Sequence, residues 1–467
     1  MPELTTSPAA SAPSSSPSTP PAAASFQTRE WLALVAILLG VSLSALDTAI
    51  ANTALPAIAA DLHAPAATSI WVINAYQLAV VATLLPFAAL GDLLGPRRIF
   101  IGGLAFFTVA SAACAFADTL PLLAVARAIQ GIGAGALMSV NIALIRLLYS
   151  AARLGRGVGL NALVVGVGFT LGPAVASLVL SVASWPWLFA INVPLGLIGL
   201  AFAVPALPRS PRRGHGFDPL AALLTALTFA ALILALGAAA QREAAALIGI
   251  PMSVAIVAFL LLLRRQAGHP APMLPLDLLR RPMFALSTLT AMASFAAQGL
   301  AFVSLPFYFE EILHRNPIDT GFLMMSWPII VALAAPIAGR MSDRHPPGLL
   351  GGVGLAVLCL GMVSLALLPA QPHTLDIVLR MALCGAGFGF FQSPNLRALM
   401  SSAPPERSGG ASGVIGMARL LGQTTGAALV ALCFGLAGTH GSTWALVLGA
   451  VFAGLASTAS FARLWAR

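Results

Sequence analysis

The chain has 467 residues, 59% of them hydrophobic and only 8% charged, with a formal net charge of +9 and a mean hydropathy of +0.93. A soluble domain carries roughly 25% charged residues, so these numbers describe a polytopic membrane protein and argue against a soluble enzyme. All 24 basic residues are arginine. Without lysine there is no Gly-Lys-Ser/Thr phosphate loop, which speaks against an ATP-driven pump. The positive balance fits short loops on one side of a membrane better than a nucleic-acid partner.

Residues 1–28 are rich in Ser, Pro, Ala and Thr, with no basic residue before Arg29. This composition reads as a disordered cytoplasmic tail rather than a cleaved signal peptide. Helix-length apolar segments then follow at 31–55, 69–90, 99–117, 120–145, 157–181, 186–207, 218–239, 245–263, 284–309, 320–339, 349–369, 376–398, 409–432 and 442–463. The fold class expected is therefore an all-helical membrane protein with fourteen transmembrane helices. The first segment contains Asp47, and a carboxylate at bilayer depth costs about 2.5–3.5 kcal/mol even on the lenient insertion scale. The fourth contains Arg127. Asp47 lies nine residues before Pro56 and Arg127 six after Pro121, placing them ~13 Å and ~9 Å below the same end at 1.5 Å per residue. Opposite charges at similar depth can pair. Arg380 and Arg419, in the twelfth and thirteenth segments, show no obvious acidic partner; an unpaired arginine in a cavity would favour an anionic or zwitterionic group, or would bond helix-end carbonyls.

Arginine placement sets the orientation. With a cytoplasmic N-terminus, nineteen arginines fall inside, only Arg242 and Arg315 fall outside, and Arg127, Arg380 and Arg419 lie within spans. So one-sided a split supports both the span count and the placing of both termini in the cytoplasm. The long cytoplasmic connections divide the chain into a tail (1–28), a six-helix bundle (29–208), a linker with a two-helix insert (209–264), a cytoplasmic linker (265–283) and a second six-helix bundle (284–467). The four cysteines sit in apolar stretches and the seven histidines at segment ends or in loops, so neither suggests a metal site.

An internal repeat is visible. Gly91-Asp92-Leu93-Leu94-Gly95-Pro96-Arg97-Arg98 follows the second segment, and Gly339-Arg340-Met341-Ser342-Asp343-Arg344 follows the tenth. Each is a small-residue helix end leading into an Asp with nearby Arg, as in transporters built from parallel repeats. Five strings then carry a specific resemblance: Leu46-Asp47-Thr48-Ala49-Ile50-Ala51-Asn52-Thr53-Ala54-Leu55-Pro56; Trp71-Val72-Ile73-Asn74-Ala75-Tyr76-Gln77-Leu78; the Gly91–Arg98 loop; Arg127-Ala128-Ile129-Gln130-Gly131-Ile132-Gly133; and Gly168-Phe169-Thr170-Leu171-Gly172-Pro173 with the Trp185-Pro186-Trp187 and Asn192-Val193-Pro194 regions. With the span count, they make the chain resemble a major facilitator superfamily transporter of the fourteen-span drug:proton antiporter family. Ala176 and Ser177 stand where that family's fifth-helix motif usually closes with Gly-Gly.

The resemblance implies a monomeric, proton-coupled antiporter in the inner membrane. It would export hydrophobic, cationic drugs or toxic compounds by alternating access, with protons, a small-molecule substrate and the bilayer as partners and no cofactor. Asp47 would exchange the proton, with Arg127 modulating it. Asp92, Arg97 and Arg98, with Asp343 and Arg344, would form the gating loops. Gly168, Gly172 and Pro173 would form the antiporter motif. Polar or aromatic side chains inside apolar spans are candidates for the substrate cavity, because unpaired polar groups there are costly: Asn52, Asn74, Tyr76, Gln77, Gln298, Phe302, Gln392 and Asn395, while Glu311, at the outer end of the ninth segment, reads either as reaching the cavity mouth or as a solvated helix end. Helix–helix hydrogen bonding is the alternative for each. A dedicated exporter of one endogenous metabolite or lipid, or a non-transporting sensor on the same fold, are the rival functions.

Overall fold

The structure, a computed structural model, describes residues 28–149, 154–209, 218–240, 245–266, 276–403 and 408–465. The tail expected over residues 1–28 lies outside these apart from Thr28, as do 210–217 and 267–275 of the two long connections. The described chain is helical throughout: α1 (Thr28–Asp61), α2 (Ala66–Ser69), α3 (Trp71–Leu94), α4 (Pro96–Ala115), α5 (Leu120–Leu148), α6 (Leu154–Val182), α7 (Pro186–Ala190), α8 (Asn192–Ala206), α9 (Pro219–Ala240), α10 (Ala245–Gln266), α11 (Leu276–Leu279), α12 (Pro282–Phe307), α13 (Pro317–Met341), α14 (Pro347–Ala366), α15 (Thr374–Ser402), α16 (Ser408–Ala437) and α17 (Gly441–Ala462). Proline opens many of them: α4, α7, α12, α13 and α14 each carry it in the first turn, where its missing N–H would be unpaired anyway.

Among the described residues, twelve stretches are long and apolar enough to cross a membrane. One of them, Gly413–Ala462, runs through most of α16, a short 3-10 turn and α17. In α9 only Pro219–Leu232 counts, as a shorter apolar helix. Val109, Phe116, Leu178 and Val182 stand largely exposed on the rim of the bundle. Acyl chains, not water, are the medium such a rim suits.

The packing repeats. In the first half α1 packs on α6 and α8, α5 on α3 and α4, and α4 on α8. In the second half α12 packs on α16 and α17, α15 on α13 and α14, and α14 on α17. Glycine spacing carries the repeat into the sequence. Gly131, Gly133 and Gly135 of α5 lie 254 residues before Gly385, Gly387 and Gly389 of α15, and Gly168 and Gly172 of α6 lie equally far before Gly422 and Gly426 of α16. The equivalence is physical. A Cβ on Gly131 would meet the Tyr76 carbonyl oxygen at 2.3 Å, and one on Gly385 would meet the Trp327 carbonyl oxygen at 2.4 Å. Backbones this close leave no room for a side chain.

The hairpin of α9 and α10 packs through α9 on α3 of the first half and α16 of the second. Asp218 and Arg265 tie its ends together at 2.8 Å. The halves also meet in one apolar cluster, which joins Ile50, Leu55, Ile58 and Phe189 of the first half to Leu300, Phe307, Val430 and Phe434 of the second. It closes the end of the molecule where α1 finishes. At that end Ser177 of α6 donates to the Pro317 carbonyl of α13 at 2.8 Å, and a Cβ on Gly321 would sit 2.5 Å from the Pro173 carbonyl. Toward the opposite end the contact is lost: a Cβ on Gly159 or Gly166 of α6 would meet nothing within 4 Å.

Candidate functional site

Asp47 and Arg127 meet. Arg127 donates from an Nη to Asp47 Oδ2 at 2.5 Å, both side chains being 1% exposed. The bridge is the centre of a wider knot. Gln130, one turn after Arg127 on α5, accepts from Arg127 at 2.5 Å. Its amide nitrogen donates to Asp47 Oδ1 at 2.9 Å and to the Ser111 hydroxyl of α4 at 2.8 Å. Asn192, the first residue of α8, donates to the same Asp47 oxygen at 2.9 Å. Arg127 Nε donates to the Val72 carbonyl of α3 at 3.0 Å, and its guanidinium carbon lies 4.2 Å from the Tyr76 ring centroid and 5.3 Å from that of Phe189. Residues of α1, α3, α4, α5, α7 and α8 thus converge on one carboxylate and one guanidinium. Buried charges persist only when paired and hydrogen-bonded in this way.

The cavity lies beside the knot, between the halves. It holds about 910 Å³, with walls from α1, α3 and α6 on one side and α12, α13, α15 and α16 on the other. It runs from Trp327 and Phe302 beneath the apolar seal to Asn161, Gly339 and Leu396, near the end that carries the two Asp/Arg loops. Its wall is apolar with a few polar groups, as small-molecule sites are. Thr48, next to Asp47, and Gln77, next to Tyr76, reach the wall, while Asp47 and Arg127 do not. A side pocket of about 40 Å³, bounded by Ser44, Thr48, Tyr76, Gln77 and Arg419, extends from the cavity toward the knot.

Of the residues expected to line the cavity, Asn52, Gln77, Gln298, Phe302 and Gln392 are on its wall. The others are elsewhere. Tyr76 is 3% exposed, stacked on Arg127, with its hydroxyl 3.5 Å from the Ser44 carbonyl. Asn74 is buried between helices. Asn395 accepts from Arg463 at 2.6 Å and donates to the Ser287 carbonyl at 3.2 Å, joining α15, α17 and α12. Glu311 stands exposed on the π-helical turn after α12, at the sealed end. Asn74 and Asn395 are surrounded by helix neighbours rather than by a cavity, Tyr76 meets only the small side pocket, and Glu311 is a solvent-facing helix end. The expectation that Arg380 lacks an acid is corrected: Asp376, one turn earlier, binds it at 2.8 Å.

In the loops, Arg97 donates to the Val204 carbonyl of α8 at 2.6 Å, and Asp92 and Arg98 are exposed beside the left-handed Gly95 (φ 92°). Asp343 pairs with Arg397 of α15, and Arg344 is exposed. On α6, a Cβ on Gly172 would lie 2.3 Å from Ala49 Cβ, and one on Gly168 3.2 Å from Ala45 Cβ. Pro173 sits within α6 without ending it.

Sequence reasoning does not single out Gln130 and Asn192 as partners of Asp47, Ser111 as a partner of Gln130, or Asn161, Trp327 and Gln423 as wall residues. Gln130 had a signal, one turn from an intramembrane arginine, but neutral polar residues in a span do not announce their neighbours.

Two repeated helical halves around a cavity closed at one end are the architecture of a carrier that presents one site to either side of a membrane. The chain belongs to the Major Facilitator Superfamily, whose profile matches residues 37–427. It is a multi-span membrane transporter of small molecules, not an enzyme. It is 50% identical over 434 residues to an uncharacterized transporter of Escherichia coli K12, YebQ, covering 92% of this chain and 95% of that one. It is 30% identical to the riboflavin transporter RibZ of Clostridioides difficile, over 87% of this chain and 88% of that one. Multidrug efflux pumps are among its more distant relatives. In fold it is similar to the crystallised POT family transporter PepTSo, with a TM-score of 0.72 at 15% identity over 94% of this chain and 98% of that one.

Proposed function

We propose that the protein is a proton-coupled antiporter that exports amphipathic compounds from the cytoplasm by alternating access. The observation that carries this reading is the buried Asp47–Arg127 bridge one residue from the cavity wall. A proton added to Asp47 removes the charge that holds Arg127, Gln130 and Asn192 in place. The knot binds six helical elements of one half, so losing it changes how that half packs. Thr48 and Gln77 link the knot to the wall that a cargo would touch. Proton uptake and cargo release then compete through one element.

The remaining organisation belongs to the same proposal: fourteen crossings in an inner membrane, with two six-helix bundles (29–208 and 284–467) flanking the insert. Both termini and the arginine-rich loops are cytoplasmic, so the cavity faces inward. The Gly91–Arg98 and Gly339–Arg344 loops gate that face, and Gly168, Gly172 and Pro173 form the surface on which α6 moves against α1. The cationic cargo expected from the sequence has no counter-charge on the described wall, which carries no carboxylate. A defined cargo rather than a broad set of drugs is the second reading, favoured by the single charge on that wall and by a 30%-identical relative described as a riboflavin transporter.

The test is transport in proteoliposomes across an imposed pH gradient. Asp47→Asn is expected to lose gradient-driven movement by about tenfold or more while retaining cargo-for-cargo exchange. Full gradient-driven export by Asp47→Asn would sink the reading.

A further inference from the structure

We infer that Arg419 is the recognition point for an anionic group on the cargo, so that the protein carries carboxylate-bearing amphiphiles. The inference deepens the transport reading and rests on it. Arg419 projects from α16 onto the cavity wall and also bounds the side pocket. It is the only charged side chain on the described wall. The two other arginines well inside apolar spans each have an anionic partner, Arg127 holding Asp47 and Arg380 holding Asp376, and the buried Arg463 after α17 is bonded to Ser287, Asn395 and Ser460. Arg419 has neither an ion pair nor a hydrogen bond among the described residues. An intramembrane charge is retained at a cost and faces an ion pathway or a ligand, and a planar guanidinium matches a carboxylate in two parallel bonds.

The surrounding amides add to the case. Gln77 accepts from the Thr424 hydroxyl at 3.2 Å and Gln298 accepts from Gln423 at 3.1 Å. Each carbonyl accepts one bond, and their N–H₂ groups make no bond among the described residues. Arg419, Gln77 and Gln298 therefore have unused N–H donors on one cavity wall, which an acceptor group on the cargo can meet. Phe302 and Trp327, packed edge to face at 5.4 Å, supply apolar surface at the sealed end of the cavity for the rest of the molecule.

The experiment measures equilibrium binding of three probes with one apolar body to the purified full chain in lipid nanodiscs, at fixed pH without a gradient. The probes are 1-naphthoate, 1-naphthamide and 1-naphthylmethylammonium. Wild type is expected to bind the carboxylate about tenfold or more tightly than the amide, the scale of a charge-assisted bond, and the ammonium weakest. Arg419→Gln is expected to bring carboxylate and amide within about twofold of each other while leaving the amide's affinity unchanged, which shows the cavity intact. Arg419→Lys keeps most of the preference. An unchanged preference in Arg419→Gln, tightest binding of the ammonium, or no binding of the carboxylate by wild type would each overturn the inference. Asp47→Asn is expected to keep the preference, so a failure of proton coupling and a failure of anion recognition give different results.

Discussion

Gln130 donates to Asp47 at 2.9 Å and accepts from Arg127 at 2.5 Å, so one amide bridges both members of the buried ion pair. Its removal leaves a guanidinium N–H without its acceptor and Asp47 Oδ1 with Asn192 alone, and an unsatisfied buried polar group costs about 1–3 kcal/mol, more when charged. Gln130→Ala is expected to lower thermal stability in detergent by that amount and to weaken gradient-driven export. Gln130→Glu, which puts a second acid beside Asp47, should be worse than Gln130→Ala in the same unfolding assay.

The pair itself tests how a buried charge behaves when orphaned. Arg127→Met leaves Asp47 uncompensated, and breaking such a pair costs about 3–5 kcal/mol. Adding Asp47→Asn to Arg127→Met should recover part of that stability without recovering proton coupling. Melting curves of the two single variants and the double variant, read as a cycle, check it.

Gly172 is held by space rather than by backbone conformation. Gly172→Ala drives a methyl to 2.3 Å from Ala49 Cβ, and overpacking of this kind costs about 1–3 kcal/mol. Ala49→Gly in the same chain should restore folding, since the nearest remaining atoms of residue 49 lie at 3.3 Å. Gly166→Ala, where nothing lies within 4 Å, should be neutral or stabilising by up to about 1 kcal/mol. Yield of monodisperse protein and its melting temperature report all three.

The bond from Ser177 to the Pro317 carbonyl fastens α6 to α13 at the sealed end. Ser177→Ala should favour the state in which that end opens, by about 0.5–1.5 kcal/mol. Cys433 is 8% exposed within the seal. In a variant lacking the other three cysteines, its alkylation by N-ethylmaleimide should quicken about two- to tenfold when Ser177 is replaced. An unaltered rate would show that the bond does not hold the seal.

The insert carries a pH prediction. The hydrogen bond from Arg265 holds the Asp218 carboxyl below the usual carboxylate range. A lowered folded pKa means that the stabilisation is complete above the unfolded value, about 3.9, and is lost as pH falls through the lower folded value. Arg265 is about half exposed, so solvent screening keeps the effect under about 1 kcal/mol. Hydrogen exchange at the Ala221 amide, which Asp218 caps at 3.0 Å, should rise in that acid window and, in Asp218→Asn, at neutral pH.

The sequence made visible what depends on charge. Asp47 and Arg127 could be matched by depth because so few charges enter apolar segments. Neutral polar residues were legible only as a class. Asn52 reaches a cavity wall while Asn395 bonds two helices, yet each is an amide in an apolar span, and only packing separates them. Arg380 and Asp376 lie one helical turn apart and could have been paired by spacing alone. The bareness of Arg419 is a property of every helix around it, and no single stretch of sequence carries it.

The 254-residue repeat sets each arginine against its counterpart. Arg127 precedes Gly131 by four residues, as Met381, also buried, precedes Gly385. Arg419 precedes Gly422 by three, as Val165, also on the cavity wall, precedes Gly168. Beside the cavity, the duplicated scaffold has thus parted its charges, Arg127 locked behind the wall in the first copy and Arg419 bare on the wall in the second. A chain assembled from two first halves would own two locks and no charged wall, and a chain of two second halves the reverse. The symmetry that builds the carrier is broken at just the places where its two halves would have to do different work.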